Sequence, residues 1–455
     1  MKNQTTPKFL MLLVVLGIFV SCNQNSGKTD KALKIKIIQL DPTHGHAAAA
    51  QSEQLRGVDT IVYLYAPEKT AVNPYLQQIN SCNSRKDNPT RWNEVTYFGS
   101  DYLDRMLKEK RGNVVVLAGN NRIKIDYIEQ SINAGLNVFS DKPMVINQNG
   151  FERLKNAYEK AGQTGILLFD MMTERYSLIN RIQKSLMQDT LLFGHLLPGT
   201  ADHPSVMESS VHHFYRGGKG TRPAWYFDVL QQGEGIVDVT THLIDLTFWK
   251  DFPEESIDYK TEVKILTAKR WPVTITKRDF SNATSLPEIP ASLDSYRKDS
   301  VLEVFANGSI TYSVKGIFNS VKVEWRAATP IDGNDLRNAY AEGSRCKLLI
   351  TQEYGQDRPR LTVQKGENIS FEDFKAQLNQ TIARLQKEYP GISVSDEGKT
   401  VQIMIPSGLG NSYDPTFKVF VSYLINKNMP MWEVPNTLAK YYITTTALEM
   451  AKKKK

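Results

Sequence analysis

The stretch Gly233-Glu234-Gly235-Ile236-Val237-Asp238-Val239-Thr240-Thr241-His242-Leu243-Ile244-Asp245 reads as a glycine turn running into a helix. Asp238, His242 and Asp245 stand at i, i+4 and i+7, a spacing that sets all three on one helix face. A carboxylate and an imidazole one turn apart can hold and move a proton near neutral pH. In that pairing His242 is the acid/base and Asp238 orients the ring or holds a neighbouring hydroxyl. Asp245 reads as a structural hydrogen-bonding residue. A second group comes earlier in the chain, where Asp141-Lys142-Pro143 follows the strand-like apolar run Leu136 to Ser140. Proline biases the residue before it towards an extended backbone. A lysine at the C-terminal end of a strand in an α/β sheet faces the ligand crevice, where it can polarise a substrate hydroxyl.

Between these signals and around them lie further candidates. Thr221-Arg222-Pro223-Ala224-Trp225-Tyr226-Phe227-Asp228 mixes rings with charge. Arg222, Trp225 and Tyr226 suit a pyranose, whose C–H faces stack while its hydroxyls need polar partners. The same segment equally suits an aromatic core. On the predicted strand holding Glu208, His212 and His213, alternation turns at most one of the two histidines to a cleft, and His213 is the one expected at the substrate. His44 and His46, with His203, His212 and His213, invite a metal reading. Structural zinc wants a tighter set with cysteines, so no metal is expected, and His44 and His46 line a cleft or cap a helix.

The elements that must carry these groups alternate from residue 33. Strands are predicted at Lys34 to Leu40, Thr60 to Tyr65, Glu94 to Tyr97, Asn113 to Ala118, Leu136 to Ser140 and Gly165 to Phe169. Helices are predicted at His46 to Leu55, after Asp101, at Ile123 to Ala134 and at Phe151 to Ala161, with Val72 to Arg91 as a polar insertion. Such alternation favours a parallel, doubly wound sheet over residues 33–170. Residues 171–455 are richer in strands, flanked by helices at Tyr176 to Met187 and Asp238 to Lys250. There a polar helix, Phe371 to Tyr389, and a hairpin-like stretch, Ser393 to Ile405, suggest an inserted lobe near 366–405. Two helices close the chain.

The pairing of Asp141-Lys142-Pro143 with Asp238 and His242 resembles the signature of the Gfo/Idh/MocA oxidoreductases, whose members usually carry Glu-Lys-Pro. The resemblance implies an α/β fold: an N-terminal Rossmann-like doubly wound parallel sheet holding NAD or NADP, then a C-terminal α+β open-sheet domain. It implies hydride transfer at a sugar or cyclitol, with Lys142, Asp238 and His242 catalytic and also touching substrate. Cofactor residues would be Asp41, Thr43, His44, Gly45 and His46 after the first strand, and Glu68 after the second. Asn120, Asn121 and Arg122 would lie beside nicotinamide and ribose, with Asp141 and Lys142 nearby. The chain departs from the family where the phosphate-binding glycines belong. Only Gly45 remains in Gln39 to Ala47, and Asp41 sets a carboxylate where a phosphate would sit.

Bulk properties bound the rest. A chain of 455 residues suffices for two domains with proper cores. At 41% hydrophobic and 23% charged it is an ordinary globular composition. The net charge of +7 is largely Lys2, Lys8 and the terminal Lys452 to Lys455. The body is nearly neutral and has no basic stripe with interleaved aromatics, which argues against a nucleic-acid partner. Lys2 and Lys8 precede the apolar run Phe9 to Val20, too short to span a bilayer. Phe19-Val20-Ser21-Cys22 resembles a bacterial lipobox, with Cys22 lipidated. The alternative is an ordinary secretory signal with a chance cysteine. Residues 1–21 are thus expected to be a signal peptide and 22–32 a tether. Without an Arg pair, export is expected in the unfolded state. Cys82 and Cys346 either form one bridge or stay as free thiols.

Together these observations point to an exported, lipid-anchored enzyme facing the periplasm, with a homodimer as the expected assembly. It would be an NAD(P)-dependent oxidoreductase of a sugar or glycoside ring hydroxyl. Free NAD is scarce outside the cytoplasm, so the cofactor would stay bound and recycle. The alternative is a non-catalytic carbohydrate-binding lipoprotein on the same fold.

Overall fold

The computed structural model describes residues 34–218, 220–328, 334–397, 400–406 and 415–453. The leader, Cys22 and the tether lie outside the described residues. No helix among the described residues is long and apolar enough to cross a membrane.

The first apolar runs become strands β1 (Ile37–Leu40), β2 (Ile61–Ala66), β3 (Asn93–Phe98), β4 (Val114–Leu117), β5 (Asn137–Asp141) and β6 (Leu168–Met171). They form one parallel sheet ordered β3-β2-β1-β4-β5-β6. Every residue of β1 and β4 is buried, as central strands covered on both faces require. This order reverses between β1 and β4, and ligands of such sheets bind in the crevice at the reversal. The helices are α1 (Lys69–Ser84), α2 (Tyr102–Glu109), α3 (Asn121–Asn133) and α4 (Gln148–Thr164).

Two expectations change here. The segment after β1 is a short 3₁₀ helix, Gly45–Gln51, and does not reach Leu55 as a helix. The supposed polar insertion from Val72 is mostly α1. Its Val72, Tyr75 and Ile79 recur at helical spacing and are buried, a stripe narrow enough to be masked by polar neighbours.

The second sheet uses β7 (Val206–Tyr215), β8 (Val263–Thr276), β9 (Arg297–Lys298), β10 (Val301–Val314), β11 (Ile317–Ala328), β12 (Leu336–Glu342), β13 (Cys346–Thr351), β14 (Arg360–Lys365), β15 (Ser393–Glu397) and β16 (Thr400–Met404). Its order is β15-β16-β14-β13-β12-β7-β11-β10-β8, with β9 on the side of β10. Around it lie α5 (Leu178–Met187), α6 (Val229–Gln232), α7 (Thr240–Asp251), α8 (Lys277–Thr284), α9 (Phe371–Leu385), α10 (Thr416–Asn426) and α11 (Glu433–Lys453). The inserted lobe expected near 366–405 is continuous with the second sheet. The hairpin β15–β16 extends the same sheet through the pairs Leu361–Ile403 and Val363–Val401. Phe374, Leu378 and Ile382 of α9 share a core with Leu348, Leu361 and Ile403. Cys82 on α1 and Cys346 on β13 are both free thiols.

The last two helices return to the first sheet. The rings of Phe417 and Phe420 each lie 5.2 Å from Phe139 of β5. Tyr441 of α11 joins the core on the opposite face, and its hydroxyl accepts the Met144 N–H at 2.9 Å.

Helix α7 is buried nearly all round, between the second sheet, α5 and α11. Asp238 lies in the turn before α7 rather than on it, and the Asp238 carbonyl accepts the Thr241 N–H at 3.2 Å. That turn needs Gly235, whose Cβ would lie 1.7 Å from the Ala306 carbonyl oxygen on β10. Gly235→Ala should therefore cost about 3 kcal/mol through overpacking against backbone. Gly162, inside α4 with open space around it, should tolerate alanine and gain about 0.5–1 kcal/mol. Urea unfolding of the two variants checks the contrast, which equal midpoints would refute.

Candidate active site

Three loops meet at the C-terminal edge of the first sheet. After β1 the backbone turns at Asp41 with φ 48, a conformation glycine normally supplies. The glycine of closest approach is instead on the next loop. A Cβ on Gly119, after β4, would lie 2.5 Å from the Asp41 carbonyl oxygen. The Asp41 carboxylate accepts from the Tyr127 hydroxyl at 3.3 Å, and burial pushes it up towards its neutral form.

Asp141 ends β5 with its carboxylate held from several sides. His44 Nδ1 and His46 Nδ1 each lie 2.9 Å from it, and the Lys142 N–H donates at 2.8 Å. Burial opposes charge on Asp141, but the two imidazoles outweigh it and hold the carboxyl well below the usual range. Burial pulls His44 down, towards the neutral ring. His44, His46 and Asp141 each place a ligand atom within 4.8 Å of the others, near enough to share a cation. Their mutual hydrogen bonds satisfy the same atoms. Lys124 of α3 is fully buried and braces this loop from below. Its ammonium donates to the carbonyls of Asp141 at 3.0 Å and Pro143 at 3.1 Å, and to Asn121 Oδ1 at 2.7 Å. Burial lowers it to about 8.

The two domains join at Lys142. Its Nζ lies 2.8 Å from Asp238 Oδ1, with the side chains 9% and 3% exposed. Gln232 Nε2 donates to the other Asp238 oxygen at 3.0 Å. Burial alone would neutralise both partners, but each charge offsets it for the other. Asp238 is held down and Lys142 is held up, so the pair is ionic. His242 is also buried. Burial first, then the charges of Lys142 and His46, hold the imidazole well below its ordinary value. Its Nδ1 has no hydrogen-bond partner among the described residues.

His242 lines a cavity of ≈ 240 Å³ with Glu174, Ser210, His212, Asp335 and Arg337. His212 bonds Asp335 at 3.0 Å through Nδ1 and Ser210 at 2.9 Å through Nε2. Arg337 donates to Glu174 at 3.1 Å and to Glu208 at 2.9 Å. Behind α7, Arg175 binds both oxygens of Asp245 at 2.6 Å and reaches Glu433 at 2.8 Å. Lys440 lies 2.8 Å from Asp170 and 3.2 Å from Asp245.

Several expected site residues are placed elsewhere. His213 is fully buried and lies outside this cavity, where β7 alternation presents Ser210 and His212. The Arg222 guanidinium is packed over Tyr226 and Trp325, and it donates to the carbonyls of His213 and Phe214. Trp225 packs on Tyr226 and does not line the cavity. The amide of Asn120 donates to Gln231 and that of Asn121 to the Gln232 carbonyl, so both tie α3 to α6 rather than stand free for a ribose. Arg122, in the first turn of α3, and Glu68, exposed just past β2, by contrast stay at the C-terminal edge of the first sheet. Tyr226 is buried near enough to Asp238 and Lys142 for both charges to act on its phenol.

A buried neutral imidazole makes stability depend on pH in a definite direction. Unfolded histidine titrates near 6.5, whereas folded His242 titrates well below it. Above about pH 6.5 neither state takes the proton, and stability is undiminished. Below it the unfolded chain binds a proton that the fold refuses, so stability falls. His242→Gln should flatten the loss of stability between about pH 6.5 and 5 relative to the parent, read from denaturant midpoints. Identical slopes would contradict this placement of the ring.

The comparisons agree with this geometry. Residues 44–168 match the family described as "Oxidoreductase family, NAD-binding Rossmann fold", and residues 182–452 match "Putative oxidoreductase C terminal domain". A crystal structure titled "putative oxidoreductase" from Parabacteroides merdae is 39% identical. It covers 93% of this chain and 99% of its own, with a TM-score of 0.89. More distant structures share the fold. A 3-ketoreductase from Actinomadura kijaniata, solved with TDP-benzene and NADP, is 12% identical, covering 92% of this chain and 97% of its own at a TM-score of 0.56. A "putative myo-inositol dehydrogenase" from Sinorhizobium meliloti is 13% identical, covering 92% and 98% at 0.54. No curated protein matches the chain. The chain belongs to the Gfo/Idh/MocA family and is an NAD(P)-dependent oxidoreductase.

Proposed function

We propose that this oxidoreductase acts on a ring hydroxyl of a sugar or glycoside. The observation that carries the reading is His242, a neutral buried imidazole whose Nδ1 has no partner among the described residues, set beside the Lys142–Asp238 ion pair on a mostly apolar cavity with a few polar groups. A hydroxyl-rich ligand suits that cavity, whose walls offer an imidazole, a carboxylate, a hydroxyl and a guanidinium.

The crevice fits a dinucleotide. The loops after β1, β4 and β5 converge where the strand order reverses. Thr43 Oγ1 is buried there without a hydrogen-bond partner among the described residues. Asp41, the residue least suited to a phosphate, is biased by burial towards its uncharged form. Asp41 to His46 would hold the pyrophosphate side, Glu68 a ribose, and Arg122, Asp141 and Lys142 the nicotinamide half. When bound, the nicotinamide ring supplies acceptance or return of a hydride at the carbinol carbon.

The protein's own groups do the proton work. His242 takes the hydroxyl proton as the carbinol is oxidised and returns it on reduction. Lys142, kept cationic by Asp238, stabilises the developing alkoxide. Tyr226 and Asp238 flank the same spot. Asp141, braced by His44, His46 and Lys124, fixes the loop that presents Lys142. An oxidoreductase that retains its nucleotide regenerates it within a turnover, or with a second sugar.

Denaturing the purified chain from Gly27 onward should release NAD(H) or NADP(H) in near-stoichiometric amount, identified by mass spectrometry. His242→Ala should keep that nucleotide and lower kcat for keto-sugar formation by about 10²–10⁴-fold. Unchanged turnover removes His242 from the mechanism.

The leader supports the second half of the proposal, that the enzyme is exported and anchored through Cys22 facing the periplasm. Expressed with its leader in a bacterium fed a labelled fatty acid, the chain should carry label in the membrane fraction. Cys22→Ser should abolish the label. Labelling that survives the substitution argues for another mode of attachment.

A further inference from the structure

The cavity that holds His242 carries a second set of polar side chains that hydride transfer does not use. Ser210 and His212 stand two apart on β7, so both project from the same face of the sheet, and both line the cavity. Asp335, just before β12, lines it too. The three are joined in one line. The Ser210 hydroxyl lies 2.9 Å from His212 Nε2, and His212 Nδ1 lies 3.0 Å from Asp335 Oδ2. A carboxylate accepting from Nδ1–H leaves Nε2 bare, the tautomer that can take a proton from a hydroxyl. Trp325 pairs with His212 in the ladder between β7 and β11, and the two rings lie 5.1 Å apart, tilted by 30°, which steadies the plane of the imidazole. The His212 and Asp335 side chains are 19% and 32% exposed, so the line can be reached from the chamber. Arg337 stands directly across from Ser210 in the ladder between β7 and β12 and also lines the cavity. Glu174 and Glu208 anchor its terminal nitrogens, and its Nε has no hydrogen-bond partner among the described residues. A guanidinium so placed can stabilise negative charge developing on a carbonyl oxygen beside Ser210.

We propose that this cavity is also an acyl-transfer centre: Ser210 is the nucleophile, His212 its general base and Asp335 the positioning residue, and together they hydrolyse the ester of an O-acylated sugar. The sugar in this statement rests on the function proposed above, whereas the acyl centre does not. Ser210 Oγ bonds to the acyl carbon as its proton passes to His212 Nε2. The ester C–O bond then breaks, and the same proton goes to the departing sugar oxygen. Water adds to the acyl-serine with His212 again as base, which releases the carboxylic acid and restores Ser210. Nothing is oxidised or reduced in these steps. The freed hydroxyl is left in the chamber that His242 shares, where it becomes a substrate for oxidation.

The test begins with a fluorophosphonate probe, which bonds covalently to a serine hydroxyl that a base activates. Incubated with the purified protein and followed by tandem mass spectrometry, it should label Ser210. Labelling of another residue, or of none, overturns the proposal. The protein should also hydrolyse 4-nitrophenyl acetate, and Ser210→Ala and His212→Ala should each lower that kcat at least about 100-fold, with thermal midpoints that show both variants folded. Equal turnover in Ser210→Ala assigns the hydrolysis to surface groups and overturns the centre. Asp335→Asn, which favours the wrong tautomer, should lower kcat by about 10²–10⁴-fold with KM unchanged. A kcat equal to the parent's overturns the positioning role. Acetylated methyl glucoside, galactoside and mannoside then test the sugar, and at least one should release acetate in a Ser210-dependent manner. Release from none, by protein that turns over 4-nitrophenyl acetate, overturns the sugar ester as substrate. None of these assays requires nucleotide, so a silent Ser210 leaves the His242 reading standing, and an enzyme without nucleotide leaves the acyl centre standing.

Discussion

The Lys142–Asp238 ion pair is the contact on which the site depends. Lys142 stands just past the end of a strand in the first sheet, and Asp238 in the turn that feeds α7 of the second domain. Removing one member of a buried pair strands the other, at a cost of about 3–5 kcal/mol, so the two domains are held in one arrangement. The pair also sets the charge states around it. Asp238 keeps the ammonium protonated, and the ammonium discourages protonation of His242. A fixed cation and a neutral imidazole thus share one pocket, which is the division of labour that moving a proton off a hydroxyl requires.

Behind this pair lies a second electrostatic layer. Arg175 and Lys440 face Asp170, Asp245 and Glu433, all buried. Two cations meet three carboxyls, and burial pushes Asp170 and Glu433 up towards neutrality, which eases the imbalance. The network joins β6, α7 and α11. Asp245 is its hub and lies one turn beyond His242, so the imidazole sits on a helix whose rotation is constrained from below. A buried polar cluster of this kind defines one orientation better than an apolar seam does.

What could be read in the sequence followed local physics. The buried β-branched runs at Ile37 to Leu40 and Val114 to Leu117 have no exposed face, so their parallel pairing was legible. Asp141-Lys142-Pro143 was legible because a strand end imposes fixed offsets, and Asp238 with His242 was legible as a pair, although Asp238 stands in the turn before α7 and not on the predicted helix face. Reach across the chain was not legible. His212 meets Asp335 more than a hundred residues away, and Arg175 meets Glu433 across 258. Alternation along β7 said that His212 and His213 differ, but only the sheet's placement says which faces the cavity. Arg222 and Trp225 carried the composition of a sugar platform, and the aromatic-core alternative is what formed. In α1 the apolar stripe was too thin to stand out. The hairpin at 393–404 looked detached because its partner strand, β14, is separated from it by a whole helix.

The placement of α10 has a consequence for how this chain comes to exist. Phe417, Phe420 and Val421 complete one face of the first sheet, packed with Val62, Val114, Phe139 and Phe169. These partners lie about three hundred residues apart in the polypeptide. A ribosome that has finished the whole dinucleotide half has therefore produced a sheet whose face is covered by Val72, Tyr75 and Ile79 of α1 but still lacks the rings that complete it around Phe139 and Phe169, and these come only some 240 residues later. Closure of so distant a contact comes late and slowly. The first domain to be made is among the last to be finished, and the nascent chain stays open until its final helices emerge.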